Sequence, residues 1–227
     1  MDYRKSWAWQ HLLLSRRLAA RRQDSDTIDD DVVLLFEHEP VYTLGRGADE
    51  NHLTFLQPDD VERRQALSRK NRGGARLTVD RQSLDPWLSL PDEVAVAQLV
   101  QTASPTVVAP NGAPIYRVER GGEVTWHGPG QLVVYPLIDL KRPPLESDLH
   151  WFLRQVEQVI IDTLQEYDIE GIRDEINTGV WVEQHKIAAV GVAASRWITT
   201  HGFALNVHPD LDYFDTSVIM PCGVEER

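Results

Sequence analysis

The sequence predicts an α+β fold, a mixed or antiparallel sheet with flanking helices. Apolar residues recur at helical spacing through 149–164. Three short apolar runs with turns between them follow at 178–207, and a glycine-rich stretch at 120–130 opens directly into a β-branched run.

Composition bounds the rest. A chain of 227 residues with 42% hydrophobic content supports one domain over 1–227, with an inserted segment at about 55–114. The formal net charge of -12 argues against a general nucleic-acid binder, which carries excess Lys and Arg to neutralise phosphates. The only cysteine is Cys222, so there is no internal disulfide and no Cys-rich zinc site, which fits a reducing, cytoplasmic setting. No stretch approaches the roughly 18 to 20 apolar residues of a membrane span, and residues 1–23 lack the apolar core of a secretion signal. None of the 8 histidines pairs at ligand spacing, so neither a metal nor another cofactor is expected.

Residues 1–23 carry six basic side chains against Asp2, a composition shared by organellar transit peptides and mature helices. The spacing of Trp7, His11, Leu14 and Leu18 predicts a helix with the arginines largely on other faces. Acidic residues 24–31 end it, and 32–36 reads as a buried strand. A proline-interrupted stretch then leads into a glycine turn around Arg46, which is either an anion contact or a plain exposed arginine. Residues 53–111 read as an inserted loop with limited structure, or a disordered excursion, holding a helix at 92–102.

The stretch 120–136 is the centre of the chain. Gly121, Gly122, Gly128 and Gly130 permit close approaches that a Cβ would block, and Arg120, Glu123, Thr125 and His127 sit among them. That describes either a backbone-walled pocket or a turn between strands. Residues 131–140 read as a buried strand with an edge or kink at Pro136. Ser147 or Asp148 caps a helix through Tyr167, and Gly171 follows its end. Residues 178–183, 186–194 and 202–207 form the antiparallel set.

No phosphate loop, dinucleotide fingerprint, nucleophile elbow or zinc helix is present. What remains is Cys222, in a turn between Pro221 and Gly223, and Lys186 at the start of an apolar strand. Each has a bland alternative, a surface thiol and a strand-edge lysine. Paired, an ammonium stabilises a thiolate, and the same lysine once deprotonated is a base.

Arg120-Gly-Gly-Glu-Val-Thr-Trp-His-Gly-Pro-Gly-Gln131, Gly179-Val-Trp-Val182, Lys186-Ile-Ala-Ala-Val-Gly191, His201-Gly-Phe-Ala-Leu-Asn-Val207 and Pro221-Cys-Gly223 together resemble the lipoyl(octanoyl) transferase family, LipB. The likeness extends to Tyr42-Thr-Leu-Gly-Arg-Gly47 and the N-terminal helix but not to about 55–114. It implies a fold similar to the biotin and lipoate protein ligase catalytic domain. It also implies transfer of an octanoyl group from octanoyl-acyl carrier protein to a lysine of lipoyl domains, in 2-oxoacid dehydrogenase complexes and glycine cleavage H protein, as the first step of endogenous lipoate biosynthesis. In the family the cysteine corresponding to Cys222 forms the acyl-enzyme. The lysine corresponding to Lys186 lowers the thiol pKa and later helps deprotonate the acceptor amine. Acyl contacts map onto Arg120, Gly121, Gly122, Glu123, Val124, Thr125, Trp126 and His127, and onto Ala189, Val190, Gly191, Gly202, Phe203 and Ala204.

Two departures accompany the likeness. The chain ends five residues after Cys222, where the family usually continues, so the expectation is either a cysteine turn without a covering segment or a truncated copy, and the insertion before Pro114 is longer than expected for the family. The rival readings are an ATP-dependent lipoate or biotin ligase, and an inactive carrier-protein binding module. An acidic carrier would be repelled by a net charge of -12, so a basic patch of Arg46, Arg117 and Arg120 with Arg63 and Arg64 is expected at the entrance.

Overall fold

The computed structural model describes residues 1–22, 30–68, 70, 77, 88–102 and 107–220. Two sheets organise them. The larger runs β1 (Val32–Phe36), β6 (Gln131–Leu137), β10 (Ile198–Asn206), β9 (His185–Ser195), β8 (Gly179–Val182) and β7 (Ile172–Arg173) in that order, every neighbour antiparallel. The smaller runs β3 (Val107–Val108), β4 (Pro114–Arg117), β2 (Val41–Leu44) and β5 (Val124–His127), with β2 and β4 parallel. Four helices accompany them: α1 (Tyr3–Arg22), α2 (Val61–Leu67), α3 (Asp92–Thr102) and α4 (Leu149–Gln165). The α+β expectation holds, with one sheet antiparallel and one mixed.

Helix α4 follows from its sequence. The Asp148 carboxylate accepts from the backbone N–H of His150 and Trp151, satisfying two of the first-turn donors. Phe152, Val156, Ile160 and Leu164 then bury one stripe against Val180, Ala188 and Val192 of β8 and β9. Glu157 interrupts that stripe and is 1% exposed. Its carboxylate pairs with Arg154 at 2.8 Å and Arg173 at 3.2 Å, and accepts the Gly179 N–H at 2.9 Å, so a buried charge fixes the start of β8.

Three segments differ from expectation. Strand β1 is not buried: Val33 is 52% and Leu35 61% exposed, because β1 is the outermost strand and only its Leu34 and Phe36 face packs inward. Helix α1 buries more than one stripe, since it lies between the large sheet and α3, and Arg17 is drawn inward to donate to the carbonyls of Leu137 and Asp30. Within 55–114 the described residues are packed. Leu56, Leu67, Leu77 and Leu99 are buried, and Ala95, Val96 and Leu99 form one cluster with Trp7, Ala8 and Leu12 of α1. Among the described residues no helix is long and apolar enough to cross a membrane.

Arg117, expected at the entrance, is 2% exposed and donates to the carbonyls of Leu67 at 2.7 Å and of Gly45 and Ala48 at 3.0 Å. It joins α2 and the loop after β2 to β4. Replacing Arg117 by Met orphans these buried acceptors and is expected to cost about 3 kcal/mol or more in urea unfolding, whereas a loss below about 1 kcal/mol would deny the role.

Candidate active site

A cavity of about 920 Å³ is bounded by the 120–123 loop, β5, β6, β8, β9, β10 and the start of α4. Its walls follow from a small set of close approaches. The Arg120 guanidinium donates to the Thr43 carbonyl at 2.7 Å and to the Glu123 carbonyl at 2.8 Å, and the Arg46 N–H donates to the Arg120 carbonyl at 2.9 Å. On the loop's other side the Gly121 N–H donates to the Val192 carbonyl at 3.0 Å. The loop therefore bridges β2 in one sheet and β9 in the other. Gly45 makes this possible, since a Cβ there would sit 2.2 Å from the Gly122 carbonyl oxygen.

Small residues meet across the middle of the sheet side. Ala189 pairs with Ala204, and Gly191 with Gly202, across β9 and β10. On the opposite side lie Thr125 and His127. Strand alternation turns Trp126 away from them, and it is fully buried against Tyr213, stacked at 4.9 Å, and Phe214. The geometry thus gathers Lys186, Arg120, Gly121, Gly122, Glu123, Val124, Thr125, His127, Ala189, Val190, Gly191, Gly202, Phe203 and Ala204 around one cavity and leaves Trp126 outside its lining. Cys222 lies outside the described residues. The chain approaches it from a held position, however, because the Met220 N–H donates to the His52 carbonyl at 2.8 Å, and the His52 ring lies 3.2 Å from the Glu123 carboxylate in the cavity wall.

The polar groups are ordered by burial. His127 Nδ1 is 2.8 Å from Gln131 Oε1, and Gln131 Nε2 donates to Asn206 Oδ1 at 2.8 Å. Gln131 therefore offers His127 its acceptor oxygen, so His127 carries its proton on Nδ1 and turns Nε2 towards the Thr43 hydroxyl at 3.4 Å. Burial holds His127 well below the usual histidine range, helped by the neighbouring His38 and Arg120. His201 is also pushed down by burial, against the pull of Glu119. Burial would raise Glu119 itself, but the adjacent His11 and His201 outweigh it and hold the carboxyl below its usual range.

Lys186 stands on β9 opposite Trp181, next to a register shift at Val180 and Trp181, and its ammonium lies 5.0 Å from the Trp181 ring centroid. Gly179 takes φ +139, and a Cβ there would meet the Ala188 carbonyl at 2.6 Å and the Lys186 stem at 3.3 Å. Tyr3, Tyr135 and Trp181 line the cavity beyond the expected acyl contacts, Tyr135 as part of the Tyr135-Pro136 pair that follows the glycine-rich motif. Trp181 lay within a quoted motif, while Tyr3 gave no local signal. The basic patch is corrected in part. Arg117 and Arg120 spend their guanidinium groups on buried carbonyls, and Arg64 spends its own on the carbonyls of Gln57 and Leu56, leaving Arg46 and Arg63 exposed.

Comparison with known proteins places the chain among relatives. Residues 96–227 match the lipoyl protein ligase A/B catalytic domain. The chain is 39% identical to the octanoyltransferase of Gloeobacter violaceus, covering 99% of this chain and 72% of that protein. It is 41% identical to the octanoyltransferase of Synechococcus elongatus, covering 100% and 71%. Among solved structures, P. falciparum LipL1 in complex with lipoate aligns with a TM-score of 0.56 at 9% identity, over 96% of this chain and 49% of that one. A bipartite archaeal lipoate protein ligase from Thermoplasma acidophilum aligns with a TM-score of 0.53 at 15% identity, over 96% and 61%. These two likenesses establish the fold.

The buried histidines carry a pH consequence. Burial lowers His38 from 6.5 to about 4, so the unfolded chain takes up its proton first as pH falls. The stability from neutral His38 is complete above pH 6.5 and is lost between pH 6.5 and about 4, amounting to about 3 kcal/mol. Denaturant titrations across that window are expected to show a smaller loss for His38→Gln than for the wild type; equal losses would place the proton elsewhere.

Proposed function

The chain belongs to the lipoyl protein ligase A/B catalytic-domain family as one of its octanoyltransferases, and on that premise we propose a two-step acyl transfer through Cys222. The donor is octanoyl-acyl carrier protein. The acceptor is a lysine of lipoyl domains, in 2-oxoacid dehydrogenase complexes and glycine cleavage H protein, at the start of lipoate synthesis in the cytoplasm. In the first step the Cys222 thiolate attacks the thioester carbonyl, a new C–S bond forms and the carrier's C–S bond breaks. The departing carrier thiolate takes a proton from the Lys186 ammonium to leave as a thiol, with Lys186 neutral. In the second the acceptor amine attacks the acyl-enzyme, the amide forms, the Cys222 thiolate leaves and the amine proton passes to Lys186.

One observation carries this reading. A cavity with a strip of Ala189, Gly191, Gly202 and Ala204 across β9 and β10, apolar side chains such as Val133, Leu153 and Phe203 around it and Lys186 in its lining suits an aliphatic chain whose reacting end stays near an ammonium. An ammonium stabilises the thiolate needed for the first step, and a lysine that has lost its proton accepts one in the second. Thioester exchange conserves the energy of the bond, so the reaction needs no nucleotide. Two further observations agree. The chain is held at His52 just before Cys222, and His127 is kept below its usual range by burial and bonded to Gln131, so it is not offered as the base.

The test is an ATP-free assay with purified octanoyl-acyl carrier protein and lipoyl domain, read by intact mass. Wild-type protein is expected to gain one octanoyl group and pass it on. Cys222→Ala is expected to gain none, and Lys186→Met to lose transfer by about a hundredfold or more. Transfer that requires free octanoate and ATP would favour the ligase reading, and carrier binding without any transfer would favour a binding module.

A further inference from the structure

We propose that Trp181 is a positioning residue for Lys186, holding its ammonium over the indole face at the cavity rim. The inference rests on Lys186 acting as the proton acceptor. Trp181 is 3% exposed and Lys186 half-buried, and both border the cavity. The ammonium lies 5.0 Å from the ring centroid, inside the range at which a desolvated cation is attracted by an aromatic face. The lysine stem is confined on a second side by Gly179, where the missing Cβ leaves room for Cε and Cδ.

Three features show that the arrangement is built into the backbone. The register shift at Val180 and Trp181 is the local irregularity that sets the indole opposite Lys186 instead of one residue along. Glu157, from α4, accepts the Gly179 N–H and so anchors the strand carrying both Gly179 and Trp181. The indole Nε1–H is buried and makes no hydrogen bond to the described residues, so the ring's contribution here is its face and not its donor. An ammonium at the end of a four-carbon stem has many rotamers, and a clamp on two sides removes most of them. The indole face favours the charged form, which pairs with the thiolate in the first step and forms again as the amine proton arrives in the second. The tryptophan thus acts through the lysine without touching the acyl group.

The experiment compares Trp181→Leu, Trp181→Phe and Lys186→Met in octanoyl transfer to a lipoyl domain. Trp181→Leu keeps bulk but has no aromatic face. It is expected to lower kcat about tenfold with KM for the lipoyl domain unchanged, the rate equivalent of one partly desolvated cation–π contact. Trp181→Phe loses no hydrogen bond and is expected to recover to within about threefold of wild type. Site-specific fluorotryptophans at position 181 preserve shape and fold while draining the ring face, and kcat is expected to fall stepwise with fluorine number. Equal losses in Leu and Phe variants, or a flat response to fluorination, would overturn the inference and leave the acyl-transfer reading standing. Full turnover by Lys186→Met would overturn both.

Discussion

The structure depends on one bridge, the 120–123 loop pinned between its two sheets. Arg120 reaches down to the Thr43 carbonyl while Gly121 bonds the Val192 carbonyl, so β2 and β9 are tied through four residues. A buried arginine is costly to desolvate, and here its donors meet the Thr43 and Gly121 carbonyls, the Thr43 hydroxyl and the Glu123 carbonyl. The cavity is the space this bridge leaves beside it. Glycine at 45 is therefore less a matter of flexibility than of clearance.

From that bridge the chemistry follows. An aliphatic chain gains about 0.8 kcal/mol for each CH₂ taken from water, so in the proposed reaction the strip of Ala189, Ala204 and the glycines takes the acyl chain by burial. Several buried polar groups near the slot are bonded to one another. His127 is closed into a chain of hydrogen bonds through Gln131 to Asn206, and Glu119 holds His11 and His201 on the side away from Lys186. In the proposed reaction Lys186, held against Trp181, is the proton acceptor.

Much of this was legible in the sequence where the physics is local. Helix α4 announced itself by its period and by Asp148, and α3 matched 92–102. The antiparallel set at the C-terminal end followed from short apolar runs, although β9 and β10 are longer than those runs, reaching into the turn at Arg196 and Trp197. What was not legible depends on contacts far apart in the chain. Arg117 and Arg120 read as surface cations because their acceptors, Leu67, Gly45 and Thr43, lie 50 to 77 residues away. The edge position of β1 is set by sheet order, which its five apolar residues do not encode. Trp126 could have been separated from Thr125 and His127 by strand alternation alone, a signal that the glycines around it obscured.

The account turns on whether the Gly and Ala wall is the acyl slot. Ala189→Leu fills that wall, and the decisive measurement is its kcat/KM across carrier-bound acyl chains from butyryl to octanoyl. The account requires octanoyl loading to fall by about a hundredfold relative to butyryl, as steric exclusion from a packed wall demands. A parallel loss at every chain length would contradict it and move the acyl chain elsewhere.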